Sequence, residues 1–318
     1  MAKAKQANEL RLVRVFEAPV RTVWEAWNDL EQVAQWWGPR GFTLTHHSKD
    51  LRAGGHWSYT MHGPDGVDWP NKTLYLEVEP LKRLVYDHGG SDDRPPLFRV
   101  TALFRELPGD RTELDMTMAF ASAQVAAETK VFIKKAGGDS TWDRLAEHLG
   151  ERKGKDPFII NRSFTAPIAT VYALWTDPKH LVRWLAPTGS SMTYIRADIR
   201  EGGTSFYSMT DANGVTLWGR AHYLKMEPQN RLVYTQQFVD ANENISRHPF
   251  APTWPETMIT EVRFTEEGPD ETRVTVTWEV YAEANADERA MFHNAKAGMT
   301  QGWGGSFDKL DAVIAEGV

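Results

Sequence analysis

The sequence predicts an α+β protein built as two tandem domains. Each is expected to be a curved antiparallel sheet wrapped around a long C-terminal helix. Three observations carry this expectation. Residues 14–86 return at 162–234 with a constant offset of 148 and no gap, and 28 of the 73 aligned positions are identical. A period of that length is the size of a globular domain, not of a solenoid unit. Within each copy, short β-branched and aromatic runs alternate with turn chemistry, as in an antiparallel meander. Each copy then closes on a segment with an apolar stripe at helical spacing. A sheet of that many strands must curl. The last helix is the element large enough to cover its concave face, leaving a pocket between the two.

The elements follow in order. Leu10 to Glu17 reads as a strand. Pro19 sits where a helix can begin, since the first helical residues need no backbone donor. Val20, Val23, Trp24 and Trp27 then form one helical face, kept in the repeat as Ile168, Val171, Tyr172 and Trp175. A second short helix starts after Asp29, and after Asp177-Pro178 in the repeat, where Asp can cap. Six strands are expected at 42–51, 56–62, 73–79, 83–88, 98–107 and 112–120. They are separated by Gly54-Gly55, Gly63-Pro64-Asp65-Gly66, Glu79-Pro80 and Pro108-Gly109-Asp110. Trp142, Leu145 and Leu149 stripe the closing helix, with Phe307, Leu310, Val313 and Ile314 as counterparts. The polar, Gly- and Pro-bounded stretch 151–157 reads as a linker between domains at 1–150 and 158–318.

Composition narrows the function. The chain has 318 residues, a net charge of −7 and no cysteine, which excludes disulfides, thiolate nucleophiles and cysteine-bound zinc. Basic residues are scattered, so nucleic acid has no electrostatic footprint. No stretch approaches the ~20 apolar residues of a membrane span, and the N-terminus lacks a signal-like apolar run. The expectation is a soluble, cytoplasmic, cofactor-free protein.

Few motifs carry chemistry. His46, His47, His56 and His62 crowd one segment, but the repeat puts Tyr194, Ile195, Thr204 and Thr210 at those positions, so solvent-facing strand histidines are expected and no metal. Asp50 and Arg52, repeated as Asp198 and Arg200, flank the Gly-Gly turn and read as a pair pinning a strand end. There is no nucleophile elbow, Walker loop or dinucleotide fingerprint. The aromatics say more. Trp57, Tyr59 and Met61 alternate on one strand, Tyr75 and Tyr86 occupy the next two, and Trp37 follows the second helix. Tyr207, Tyr223, Tyr234 and Phe238 correspond in part. Buried Tyr and Trp need partners for their polar tips, and an apolar cavity with few polar handles uses them naturally.

The motifs Arg14-x-Phe16-x-Ala18-Pro19, Gln35-Trp36-Trp37-Gly38-Pro39-x-Gly41-Phe42 and Glu79-Pro80-x-x-Arg83-Leu84-Val85-Tyr86 resemble domains like the activator of the heat-shock protein 90 ATPase. That group belongs to the START-like, or SRPBCC, superfamily. Ser246 to Pro255 and Gly298 to Trp303 extend the resemblance into the second half. It implies two helix-grip domains, a fold that hosts lipid carriers, cyclases, receptors and co-chaperones. In the eukaryotic co-chaperones a separate N-terminal domain contacts the chaperone; here nine residues precede Leu10.

The halves differ in two places. The second carries twelve more residues between Tyr234 and Phe264 than the first has between Tyr86 and Phe104, concentrated at 240–255. Phe292 to Phe307 also spans fifteen residues, against ten from Phe132 to Trp142, adding a Met299–Trp303 turn. Phe250 and Trp254 on the loop, with Met299 and Trp303 at the start of the final helix, are therefore expected to close a site in the second domain. The leading expectation is binding of a small hydrophobic or aromatic molecule. A cyclase- or hydrolase-like enzyme in the same pocket comes second, and a chaperone-associated module third.

Overall fold

The computed structural model describes residues 7–90, 95–135, 140–151, 153, 155–281 and 284–317. The chain divides into two compact units, Met1–Gly154 and Lys155–Val318. The first contains β1 (Glu9–Phe16), α1 (Val20–Asn28), α2 (Leu30–Trp36), β2 (Thr43–Lys49), β3 (His56–His62), β4 (Asp68–Glu79), β5 (Arg83–Gly90), β6 (Phe98–Leu107) and β7 (Arg111–Ala119). It closes with α3 (Ala123–Lys135) and α4 (Ser140–Glu151). The second contains β8 (Phe158–Phe164), α5 (Ile168–Thr176), α6 (Pro178–Trp184), β9 (Ser191–Arg196), β10 (Thr204–Thr210), β11 (Thr216–Glu227), β12 (Arg231–Val239), β13 (Met258–Gly268), β14 (Glu271–Val280) and α7 (Ala286–Ala315). Each unit forms one seven-stranded antiparallel sheet, with orders β1-β7-β6-β5-β4-β3-β2 and β8-β14-β13-β12-β11-β10-β9. The strand before the helices closes against the last strand of the meander in both.

Repeated residues do the same job twice. The Asp29 carboxylate accepts from the Glu31 and Gln32 amides at 3.1 and 3.0 Å, and Asp177 accepts from Lys179 at 2.8 Å, capping α2 and α6. Trp36 donates its indole N–H to Ala26 O at 2.9 Å, and Trp184 to Leu174 O at 3.0 Å. Each bond locks the second short helix to the first, satisfying a buried donor and a helix-end carbonyl together. A Cβ on Gly55 would lie 2.2 Å from Asp50 O, and one on Gly203 2.3 Å from Asp198 O, so these turns exclude side chains. The flanking pairs Arg52–Asp50 and Arg200–Asp198 are exposed, at 2.8 and 2.9 Å.

Three sequence expectations are revised. β4 begins at Asp68 rather than 73, and Pro70 lies within it, paired with Thr60 of β3. The first unit closes with two helices of 13 and 12 residues in place of one long helix, residues 136–139 lying outside the described set. In the second unit the final helix is 30 residues long and begins at Ala286, so Met299 and Trp303 sit in mid-helix rather than in a turn at its start. Its start is fixed by a capping box, in which Asn285 Oδ1 accepts from the Glu288 amide and the Glu288 carboxylate accepts from the Asn285 amide, both at 3.0 Å.

A cation on each closing helix ties it to the loop after the second short helix. Arg144 donates to Gly38 O, Pro39 O and Gln35 O at 2.8, 3.0 and 2.9 Å. Lys309 donates to Ala186 O at 2.8 Å. These ties set the distance between helix and sheet.

Candidate ligand site

In the second unit a cavity of about 490 Å³ opens between the sheet and α7, within the range of small-molecule sites. Tyr194, Tyr207, Tyr223 and Tyr234 reach it from four consecutive strands, β9 to β12. Trp175 of α5, Trp278 of β14 and Met299 and Trp303 of α7 also line it, as do Phe238 of β12 and His248 and Trp254 of the 240–255 loop. Trp175 and Trp303 stack at 5.9 Å and 14°, and Trp278 meets Trp303 edge-on at 5.7 Å. Their three indole N–H groups are buried without an acceptor among the described residues.

The 240–255 loop is held by hydrogen bonds at both ends. Asp240 Oδ1 accepts from the amides of Asn242 and Asn244 at 2.8 and 2.9 Å, an Asx turn. Glu243 accepts both arms of Arg196 at 2.8 and 2.7 Å. Arg247 bonds Trp254 O at 2.7 Å and Glu288 Oε1 at 2.6 Å, tying the loop to the first turn of α7. The loop lends His248, Ala251, Trp254 and Pro255 to the wall. Phe250 stays outside it: its side chain is 77% exposed, because the His248–Ala251 bridge turns the tip of the loop outward.

The first unit brings the corresponding residues together as packed core. Trp37, Trp57, Tyr59, Tyr75 and Tyr86 are all buried. Trp57 stacks on Tyr59 at 4.1 Å, Trp37 crosses Trp57 edge-on at 5.3 Å, and the Trp37 indole donates to the Tyr59 hydroxyl at 3.1 Å. In β3, Trp57 and Tyr59 face inward while His56 and Ser58 are partly exposed. The four histidines of this segment each engage a different neighbour: His46 with Leu30 O, His47 with Thr60, His56 with Ser48 and His62 with Asp68.

At aligned positions the second unit carries less bulk than the first. Leu185 stands where the first unit has Trp37, and Ser205 where it has Trp57. Gly219 stands where the first unit has Asn71. It pairs with Tyr207 across the sheet, and a Cβ there would lie 2.4 Å from the Tyr207 ring, so the ring lies over bare backbone. Ser205, too short to stack, donates to the Tyr223 hydroxyl at 3.3 Å. These three positions were missed because only aromatic residues were sought; the signal was the loss of bulk at aligned sites. Tyr194, Trp175, Trp278 and His248 were missed as well, since their strands and loop converge only in the fold.

The cavity is poor in charge. Burial pushes the hydroxyl pKa of all four tyrosines upward, so they stay neutral. Burial also lowers the His248 pKa, and its Nδ1 accepts from the Phe250 amide at 3.2 Å, which leaves Nε2 as the protonated nitrogen of the neutral ring. Hydroxyls, amides and one neutral imidazole can hold a polar substituent, while indoles and methionines enclose an apolar body.

The family model "Activator of Hsp90 ATPase homolog 1-like protein" matches residues 17–150 and again 165–315, and the chain belongs to this family. Among solved structures, one protein from Nitrosomonas europaea is 22% identical, with 47% of this chain and 99% of that one covered and a TM-score of 0.43. One from Arthrobacter aurescens is 24% identical, covering 46% and 87%, with a TM-score of 0.42. A di-domain ARO/CYC protein from the steffimycin biosynthetic pathway is 15% identical over 97% of this chain and 100% of that one, with a TM-score of 0.37. No curated protein matches the chain in sequence. Among the described residues no helix is long and apolar enough to cross a membrane.

Proposed function

We propose that the second domain grips one small, predominantly apolar molecule between its sheet and α7, without a cofactor. On this reading the first domain is a filled copy that binds nothing in its interior. The observation that carries the reading is the cavity of about 490 Å³ in the second domain, where Leu185 lines the wall at the position of the first domain's buried Trp37. A second reading, turnover of the bound molecule in the manner of a cyclase, draws on the tyrosine hydroxyls and on His248 at the cavity wall. A chaperone partner draws on the family's name alone.

The test uses a neutral hydrophobic fluorophore such as Nile red, titrated against the full chain. One equivalent is expected to bind. Leu185→Trp should restore the first domain's plug and abolish binding while leaving the fold intact by circular dichroism. Trp303→Ala should weaken binding by roughly 1–3 kcal/mol, the scale of one buried aromatic contact. Undiminished binding in both folded variants would place the fluorophore elsewhere and overturn the reading.

A further inference from the structure

We propose that this cavity, taken as a ligand site, selects uncharged molecules with a flat aromatic body and one hydroxyl or carbonyl oxygen. The aromatic body lies against Trp175, Trp278 and Trp303, and the oxygen points to the tyrosines of β9 to β12. The inference rests on the binding reading above and deepens it by naming the ligand's chemistry.

Three observations lead there. None of the 30 residues lining the cavity is Asp, Glu, Lys or Arg. Nearby cations are committed elsewhere: Arg196 to Glu243, Arg247 to Glu288, and Arg220 to the Gln237 side-chain Oε1 at 2.6 Å. A carboxylate or phosphate brought inside would lose its hydration without gaining a cation, and an ammonium would gain no carboxylate. Either burial costs several kcal/mol.

The polar atoms are neutral, and the tyrosine hydroxyls come from one stretch of the sheet. Each of four adjacent strands contributes one tyrosine. The Tyr223 hydroxyl accepts from Ser205, and burial holds all four phenols in their uncharged form. Such hydroxyls donate and accept, so they match an alcohol, phenol or ketone. The lining also supplies the stacked Trp175–Trp303 pair with Trp278 across its edge, surfaces that favour a planar π-system. Their indole donors lack acceptors among the described residues, which sets these surfaces further against cations.

Four probes sharing one ring system separate these features: pyrene, 1-hydroxypyrene, 1-pyrenecarboxylate and 1-pyrenemethylammonium. Each is titrated against the full chain at pH 7, with quenching of tryptophan emission as the readout. Hydroxypyrene should bind at least about tenfold tighter than the carboxylate and the ammonium. In Tyr207→Phe and Tyr223→Phe, affinity for pyrene should hold while the advantage of hydroxypyrene over pyrene shrinks about five- to tenfold. Above the phenol's own pKa its binding should fall toward that of the carboxylate. Equal or tighter binding of either charged probe would overturn the inference while leaving the cavity a binding site. So would a hydroxypyrene advantage untouched by both phenylalanine variants. If none of the four probes binds, or if all bind Leu185→Trp as they bind the native chain, the binding reading itself falls.

Discussion

Leu185 and Ser205 show how little sequence separates a core from a cavity. Where the first domain buries the Trp37 and Trp57 indoles, the second has Leu185 at the cavity wall and a buried Ser205, forgoing roughly 2–3 kcal/mol of burial for each absent ring. Gly219 adds to the opening by letting Tyr207 lie against the sheet. In the first domain a different residue stands out. His88 packs against Phe98 at 4.9 Å with its Nδ1 buried and without a hydrogen-bond partner among the described residues, and burial lowers its pKa to about 4 from the usual 6.5. The sign follows from linkage: the unfolded chain takes up a proton below pH 6.5 while the folded one does not until about pH 4. The stabilising preference is therefore present above 6.5 and lost as pH falls between those values. The expected loss between pH 7 and 5 is about 1–2 kcal/mol. Urea melts of the native chain and of His88→Phe at both pH values check this. An unchanged pH dependence in the variant would show that His88 has no part in it.

At the scale of elements, α7 carries its own sign of function. Gly298 and Gly302 line the cavity one helical turn apart, and a Cβ at either position would meet no atom within 4 Å. A glycine inside a helix costs about 0.5–1 kcal/mol relative to alanine, so the empty space is kept at the expense of stability. Gly298→Ala and Gly302→Ala should each raise stability by about that amount. Gly302→Leu should reduce binding of the neutral fluorophore instead. Thermal melts and the titration described above measure both, and destabilisation by alanine would show that the helix is tighter than it looks. Those same glycines hid the helix in the sequence, where Gly298 to Gly305 reads as a turn and propensity argues against any continuation. The capping box at Asn285 and Glu288 was the available counter-signal. Strands were easier to read, because Trp57 and Tyr59 alternate with polar neighbours and because Gly-Gly and Glu-Pro turns bracket the runs. The start of β4 is hard to read because Pro70 argues against a strand interior, yet it pairs with Thr60 of β3. The candidate site was half legible. Tyr207, Tyr223, Tyr234, Trp254, Met299 and Trp303 line the cavity, but Phe250 points outward, and nothing local reveals that Tyr194 and Trp278 arrive beside them.

For the whole molecule, the internal repeat makes each unit a complete sheet with its own closing helix and its own core. The polar stretch 151–157 joins them. Limited proteolysis should cut within that stretch first and release two fragments that each keep a cooperative melt. Fragments that lose their structure on separation would show that the two units stabilise one another. The distribution of aromatics has an optical consequence. Trp27, Trp36, Trp37, Trp57 and Trp142 form one continuous group in the first domain, each within 5.6 Å of another member. Light absorbed by any of them is shared among chromophores that a ligand in the second domain never touches. Trp175, Trp278 and Trp303 absorb the same light beside the cavity. Two indole clusters, one in each unit, thus share a single excitation band, and contact quenching by an occupant of the cavity would act on the second of them.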